Sequence, residues 1–166
     1  ALDSIVPIYA DYLEKFPEEP EYRLYSAAAK GLKARVHLGK KEWVGVLMEG
    51  IKGYRGVRSL YREHPELYDA YSPMGILNYY AGNMSGFVRF LSTFVGIDAN
   101  KEVGLRMMHT TAENGEFAWI EASQILVYIY LWIDVDYGRA LEISQRLIDR
   151  LPSNIYNQHL LTESLI

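Results

Sequence analysis

The sequence predicts an all-α fold, and three observations carry that reading. No alternation of apolar and polar residues with period two persists over a useful length, so strands find no support. Residues that start or stop helices recur at short intervals, among them Pro17, Pro20, Gly39, Pro65, Gly115 and Pro152, and the segments between them carry apolar side chains at helical spacing. The most apolar run, "ILVYIYLWI" at 125–133, continues without Gly or Pro from residue 116. Some eighteen unbroken residues suit a helix, and one apolar nearly all round is a helix surrounded by others. Residues 116–133 are therefore expected to form a central helix packed on several sides.

The other elements follow in order. Residues 2–16 read as a helix stopped at "FPEEP", where Pro17 and Pro20 break the run. "EYRLYSAAAKGLKARVHLGK" is rich in good helix formers and stops near Gly39. "KEWVGVLMEGIKGYRGVRSLYREHP" places Val44, Leu47, Ile51, Tyr54, Val57 and Tyr61 at helical spacing and closes at Pro65. In "YSPMGILNYYAGNM", Ser72 is expected to cap and Pro73 to occupy the first helical position. A short segment, "GFVRFLSTFVG", follows, then "ANKEVGLRMMHTTAENG", the central helix, "DYGRALEISQRLIDRLP" and "SNIYNQHLLTESLI".

Composition narrows the functional classes. The 166 residues are enough for one domain with a sizeable core, and 49% hydrophobic with 23% charged residues is ordinary for a folded globular chain. With no cysteine, thiol catalysis, disulfides and cysteine-bound metal are excluded. No apolar run approaches the roughly 20 residues of a transmembrane helix. The compartment, cytoplasmic or exported, is left open. The net charge of −4 is unevenly spread: residues 30–62 hold nine Lys or Arg against two Glu. The plain reading of that basic segment is a solvated helix face, with Lys52, Arg55, Arg58 and Arg62 opposite Leu47, Ile51, Tyr54 and Tyr61. An acidic overall balance without a recognition motif argues against a nucleic-acid partner.

No catalytic constellation emerges. His37, His64, His109 and His159 are scattered, and none sits in an H-E-x-x-H pattern. Nucleophile-elbow, P-loop and dinucleotide-binding patterns are missing. Asp134 and Asp136 lie in a turn between helices, where a turn and an N-cap for the helix from Tyr137 explain them better than catalysis or calcium. The chain is expected to be no enzyme and to need no cofactor or metal.

Self-similarity does emerge. In "DYGRALEISQRLIDRLP", Ala140 and Pro152 stand twelve apart, and the segment resembles the second helix of a tetratricopeptide repeat (TPR). "NKEVGLRMMHTTAENG" repeats the layout with Gly104 at the small position and Met108 at the bulky one. Gly104 precedes Ala140 by 36 residues, close to the roughly 34-residue TPR period. Val44 and Ile5 take the same position in earlier segments, while Trp119, Ala122, Ser123 and Leu126 follow the pattern of a first helix. Ser144 and Leu147 depart from the usual identities. The small pairs Ala122–Ser123 and Ala27–Ala28 would let a partner helix approach closely. The longer layout "MGILNYY…FLSTFVGIDANKEVGLRMMHTTAENGEF" also looks like divergent bacterial TPR proteins and the eukaryotic family that includes a fungal inclusion-body clearance protein. An insertion is expected at residues 66–71 and in a short helix around 86–95.

The resemblance implies a TPR-like α-solenoid of antiparallel helix pairs spanning residues 1–166. It also implies a non-catalytic scaffold whose concave groove holds a protein or peptide partner. The first and last helices would lack their pair-mates, so a longer array or self-association through the ends is expected. With 14 Tyr, 3 Trp and 5 Phe, aromatics are in excess. After Ser72, one helix side would present Gly75, Tyr79 and Gly82, a smooth patch with a projecting ring. Tyr71, Asn78, Tyr79 and Asn83 are the candidate partner-binding residues; interior packing is the competing reading for each. The alternative function is binding of an apolar or anionic small ligand or lipid through the Phe-rich insert, with Phe87, Phe90, Leu91 and Phe94, and the basic segment.

Overall fold

The computed structural model describes residues 2–86 and 96–166. Among them lie eight α-helices, one 3-10 turn and no strand. The helices are α1 (Leu2–Lys15), α2 (Pro20–Gly39), α3 (Trp43–Glu63), α4 (Tyr71–Asn83), α5 (Lys101–Asn114), α6 (Trp119–Trp132), α7 (Tyr137–Arg150) and α8 (Ile155–Ser164); the 3-10 turn, Tyr68–Ala70, leads into α4. The expected short helix around 86–95 falls, beyond Gly86, outside the described residues.

Helix ends explain most of the boundaries. Asn100, Asp136 and Asn154 each accept a hydrogen bond from the backbone N–H three residues on, capping α5, α7 and α8 at 2.9, 3.1 and 3.1 Å. Two expectations need correction. Pro20 does not end a helix; it starts α2, where its fixed φ fits and its missing N–H costs nothing. Ser72 does not cap α4, which begins one residue earlier as a continuation of the 3-10 turn; Ser72 is buried and its hydroxyl has no protein partner.

Each helix packs on its neighbour in sequence, most extensively α2 on α3 and α4 on α5, followed by α6 on α7; α6 also touches α8. The closest approaches run over small residues. A Cβ at Gly53 would lie 3.0 Å from the Ala27 carbonyl oxygen, and one at Gly56 2.9 Å from Ala27 Cβ, so α2 and α3 meet at Ala27. Ala28, its partner in the small pair, is exposed. Gly75 and Gly104 play the same part between α4 and α5. Of the four positions matched to the start of a second TPR helix, Gly104 and Ala140 are buried, whereas Ile5 is exposed and Val44 is 72% exposed. In α3 the contacts with α2 are made by its glycines instead: a Cβ at Gly45, next to Val44, would lie 2.7 Å from the His37 ring, and Gly53 meets the α2 main chain at Ala27. Leu47, expected on the packed face of α3, is also exposed.

Two buried clusters form the interior. One joins Leu24, Ala27, Tyr54, Val57, Leu60, Ala70, Met74 and Met107 from α2 to α5. The other joins Tyr79, Met108, Leu126, Val127, Ile129, Tyr130, Ala140, Ile143, Leu147 and Leu160 from α4 to α8. Helices α4 and α5 feed both, and the consecutive Met107 and Met108 point one into each. Helix α6 is the central helix expected, with seven buried residues. It is not covered all round: Tyr128 and Trp132 are 46% and 49% exposed. No helix of the described residues is long and apolar enough to cross a membrane.

Candidate functional site

The four candidate partner-binding residues on α4 do not share one surface. Tyr79, expected to project, is fully buried. Its hydroxyl donates to Asp134 Oδ1 at 2.9 Å, and its ring packs edge-on against Tyr80. The smooth Gly75–Tyr79 side of α4 is the side that takes α5, which is why the ring turns inward. Asn78 is 3% exposed; its Oδ1 accepts the Asp98 N–H at 3.1 Å and its Nδ2 faces Met107 Sδ at 3.5 Å. Tyr71 is half-buried, donates to the Pro65 carbonyl at 2.8 Å and packs edge-on against Tyr61. Asn83 is exposed and donates to the Tyr79 carbonyl at 3.0 Å, within its own helix. Interior packing thus accounts for Asn78 and Tyr79.

Asp134 does more than fill a turn. It accepts from Tyr79 and, at 2.6 Å, from Lys101 Nζ, whose ammonium lies 5.7 Å from the Tyr79 ring centroid. A carboxylate after α6 therefore ties α4 to the start of α5. Its partners lie 55 and 33 residues away, so no local signal could have revealed them. Burial, and then the hydrogen bond to Asp134, pushes the Tyr79 hydroxyl well above the ordinary tyrosine range. Burial also raises Tyr25, Tyr54, Tyr71 and Tyr80. Groups raised in the folded state contribute stability that is intact below the unfolded pKa near 10 and is lost as pH climbs towards the folded value. Unfolding free energy measured by urea titration should fall by at least about 1 kcal/mol between pH 8 and pH 11. Tyr79→Phe should reduce that fall; an equal fall in the variant would rule out Tyr79 as its source.

The histidines all have partners: His37 with Glu42 at 2.6 Å, His64 with Glu66 at 3.1 Å, His159 with Glu163 at 3.9 Å, and His109 with the Tyr130 hydroxyl at 2.8 Å. Burial pushes His109 below its ordinary value. Among the described residues no three His, Asp or Glu side chains are grouped to hold a metal ion.

Two surface features stand open. The first is the open stripe of α6, where the Tyr128 and Trp132 rings stand 4.8 Å apart. Tyr80 of α4 is close enough for a Tyr128 phenolate to raise its pKa further, and Leu77, one turn before Tyr80, is exposed. At the other end of α6, Glu121 lies 3.9 Å from Arg35 of α2, and Leu32, almost one turn before Arg35, is exposed as well. The second is a pocket of about 430 Å³ between α3, α4 and α5, lined in part by Arg58, Arg62 and Asn78. Arg58 and Arg62 are accordingly not simply members of a solvated face. A smaller recess of about 290 Å³ beside α6 is bounded by Trp119 and Arg150, whose guanidinium stacks 3.5 Å over the indole and closes that side.

The described fold is that of an all-α protein built by packing successive helices on one another. Compared with known proteins, the chain matches no family model, no curated protein and no solved structure.

Proposed function

We propose that this chain is a TPR-like helical array that binds a peptide or protein partner without catalysis. The observation that carries the reading is the open stripe of α6. A helix buried on its other sides leaves two adjacent aromatic rings half exposed, and rings of that kind anchor partners because they bury much area at little entropic cost. The groove proposed runs over Leu32 of α2, Leu77 and Tyr80 of α4, and Tyr128 and Trp132 of α6. In this reading α2, α4 and α6 are the first helices of three successive pairs, and the stripe they share is the groove. The burial of Asn78 and Tyr79 moves the proposed contact from one face of α4 to its next.

A displayed peptide library selected on the native protein tests this. Enriched peptides should bind saturably, and Trp132→Ala or Tyr128→Ala should weaken them at least about tenfold, as expected for a central aromatic anchor. Tyr156→Ala, half exposed on α8, should change little. Peptides that bind the α6 variants as well as the native chain would remove the groove from the assignment.

A further inference from the structure

We propose that the pocket between α3, α4 and α5 binds a small amphiphilic anion, its carboxylate or phosphate head held by Arg58 and Arg62 and its short hydrocarbon body by Met74, Val103 and Met107. This inference is independent of the peptide groove and shares no residue with it.

Arg58 and Arg62 are four apart on α3, so their side chains rise from the same face about 6 Å apart at Cβ. Two like charges so placed disfavour the helix, and neither forms an ion pair with any described residue, whereas Arg23 on the neighbouring helix is paired with Glu63 at 2.7 Å. Both arginines line the pocket; the one carboxylate among its described lining residues is Asp98, leaving a net positive charge. A planar guanidinium meets a carboxylate or phosphate through two parallel hydrogen bonds, which an ammonium cannot do.

The surroundings are shaped for such a guest. Gly96, at φ +84°, leaves room for the Arg58 guanidinium that any Cβ would fill, and its carbonyl accepts the Tyr54 hydroxyl at 2.5 Å, fixing residues 96–98 beside the pocket. Asn78 adds a third donor: among the described residues its Nδ2 meets only the thioether of Met107, a weak acceptor that an oxyanion would outcompete. Met74, Val103, Met107 and Ile97 supply the apolar lining. A volume of about 430 Å³ lies within the range of small-molecule sites, and an apolar lining with a few convergent polar groups is their usual composition.

Isothermal titration calorimetry on the native chain with octanoate and with mono-octyl phosphate tests the proposal. At least one should bind one-to-one, and its affinity should fall at least tenfold in Arg58→Gln and in Arg62→Gln. Octanol, with the same body and no charge, should bind at least tenfold more weakly, and acetate or inorganic phosphate should not saturate at comparable concentration. Arg55→Gln, on the same helix outside the pocket, and Trp132→Ala, in the peptide groove, should leave the affinity unchanged. Arg62 is exposed, so Arg62→Gln keeps the test valid even where circular dichroism shows that Arg58→Gln has lost helix. No saturable binding of either amphiphile, equal binding of octanol, or full affinity in folded Arg62→Gln would each overturn the proposal.

Discussion

Gly104→Ala is expected to lower the unfolding free energy by about 2 kcal/mol, although alanine is the better helix former. Two effects compete. Replacing Gly by Ala inside a helix gains about 1 kcal/mol of propensity. Against that, a Cβ at Gly104 would lie 2.5 Å from the Tyr79 backbone nitrogen and 2.6 Å from the Gly75 carbonyl oxygen. These are main-chain atoms of α4 and cannot swing aside; α4 and α5 must separate, which costs about 3 kcal/mol as overpacking. Gly75 meets the same contact from the other side, with a Cβ 2.8 Å from the Gly104 carbonyl, so Gly75→Ala should behave alike. For a chain of this length the loss corresponds to a Tm lower by about 4–8 °C. Gly31, inside α2, is the control: a Cβ there meets nothing within 4 Å, and Gly31→Ala should raise stability by up to about 1 kcal/mol. Thermal unfolding of the three variants decides it. A Gly104→Ala protein as stable as the parent would mean that α4 and α5 do not meet on these glycines.

Gly104 also marks how far the sequence could be read. Its small size and its spacing to Ala140 were visible in the sequence, and both residues are buried where helices touch. Helix type and most boundaries were legible for the same local reasons: Asp136 three residues before Arg139 announces a cap, and Pro65 or Pro152 a stop. What failed depended on contacts between distant segments. Val44 has the right spacing to be packed, but α2 meets α3 on Gly45, Gly53 and Gly56, glycines that by themselves read only as helical. Tyr79 lies on the smooth side of α4, and nothing in "GILNYYAGN" says that α5 will occupy that side. Arg58 and Arg62 read as one edge of a solvated face until residues 96–98 are seen to lie over them. Of the candidate partner-binding residues, burial removes Asn78 and Tyr79 from the surface, while Tyr128 and Trp132, absorbed by sequence into a fully packed helix, turn outward. Nine successive apolar residues show no period, so the sequence could not say which side of α6 lacks a neighbour.

Asp69 is the clearest case of a role without a local signal, and its replacement is the second change expected to matter most. It sits in the 3-10 turn before α4 and is buried, yet it serves the start of α6. Its carboxylate accepts the Phe117 N–H at 3.0 Å through Oδ2 and the Ala118 N–H at 3.2 Å through Oδ1. Ala118 is the N-cap residue of α6 and has no side chain able to cap, so a residue 49 positions earlier supplies both the acceptor and a negative charge at the positive end of the helix. Gly115 makes the approach possible, since a Cβ there would fall 2.6 Å from Asp69 Oδ1. Asp69→Ala removes the cap and leaves two N–H groups without their partner in a partly buried place. A lost cap costs about 1 kcal/mol and an unsatisfied buried donor about 1–3 kcal/mol, so a loss of about 2–3 kcal/mol is expected. Asp69→Asn keeps one acceptor oxygen and loses the charge, so it should lose roughly half as much. Hydrogen exchange would place the effect: the amides of 117 and 118 should lose protection first in Asp69→Ala, with those of α8 following only on global unfolding. A variant within about 0.5 kcal/mol of the parent, the usual range of an unimportant surface change, would show that α6 starts without help from the turn before α4.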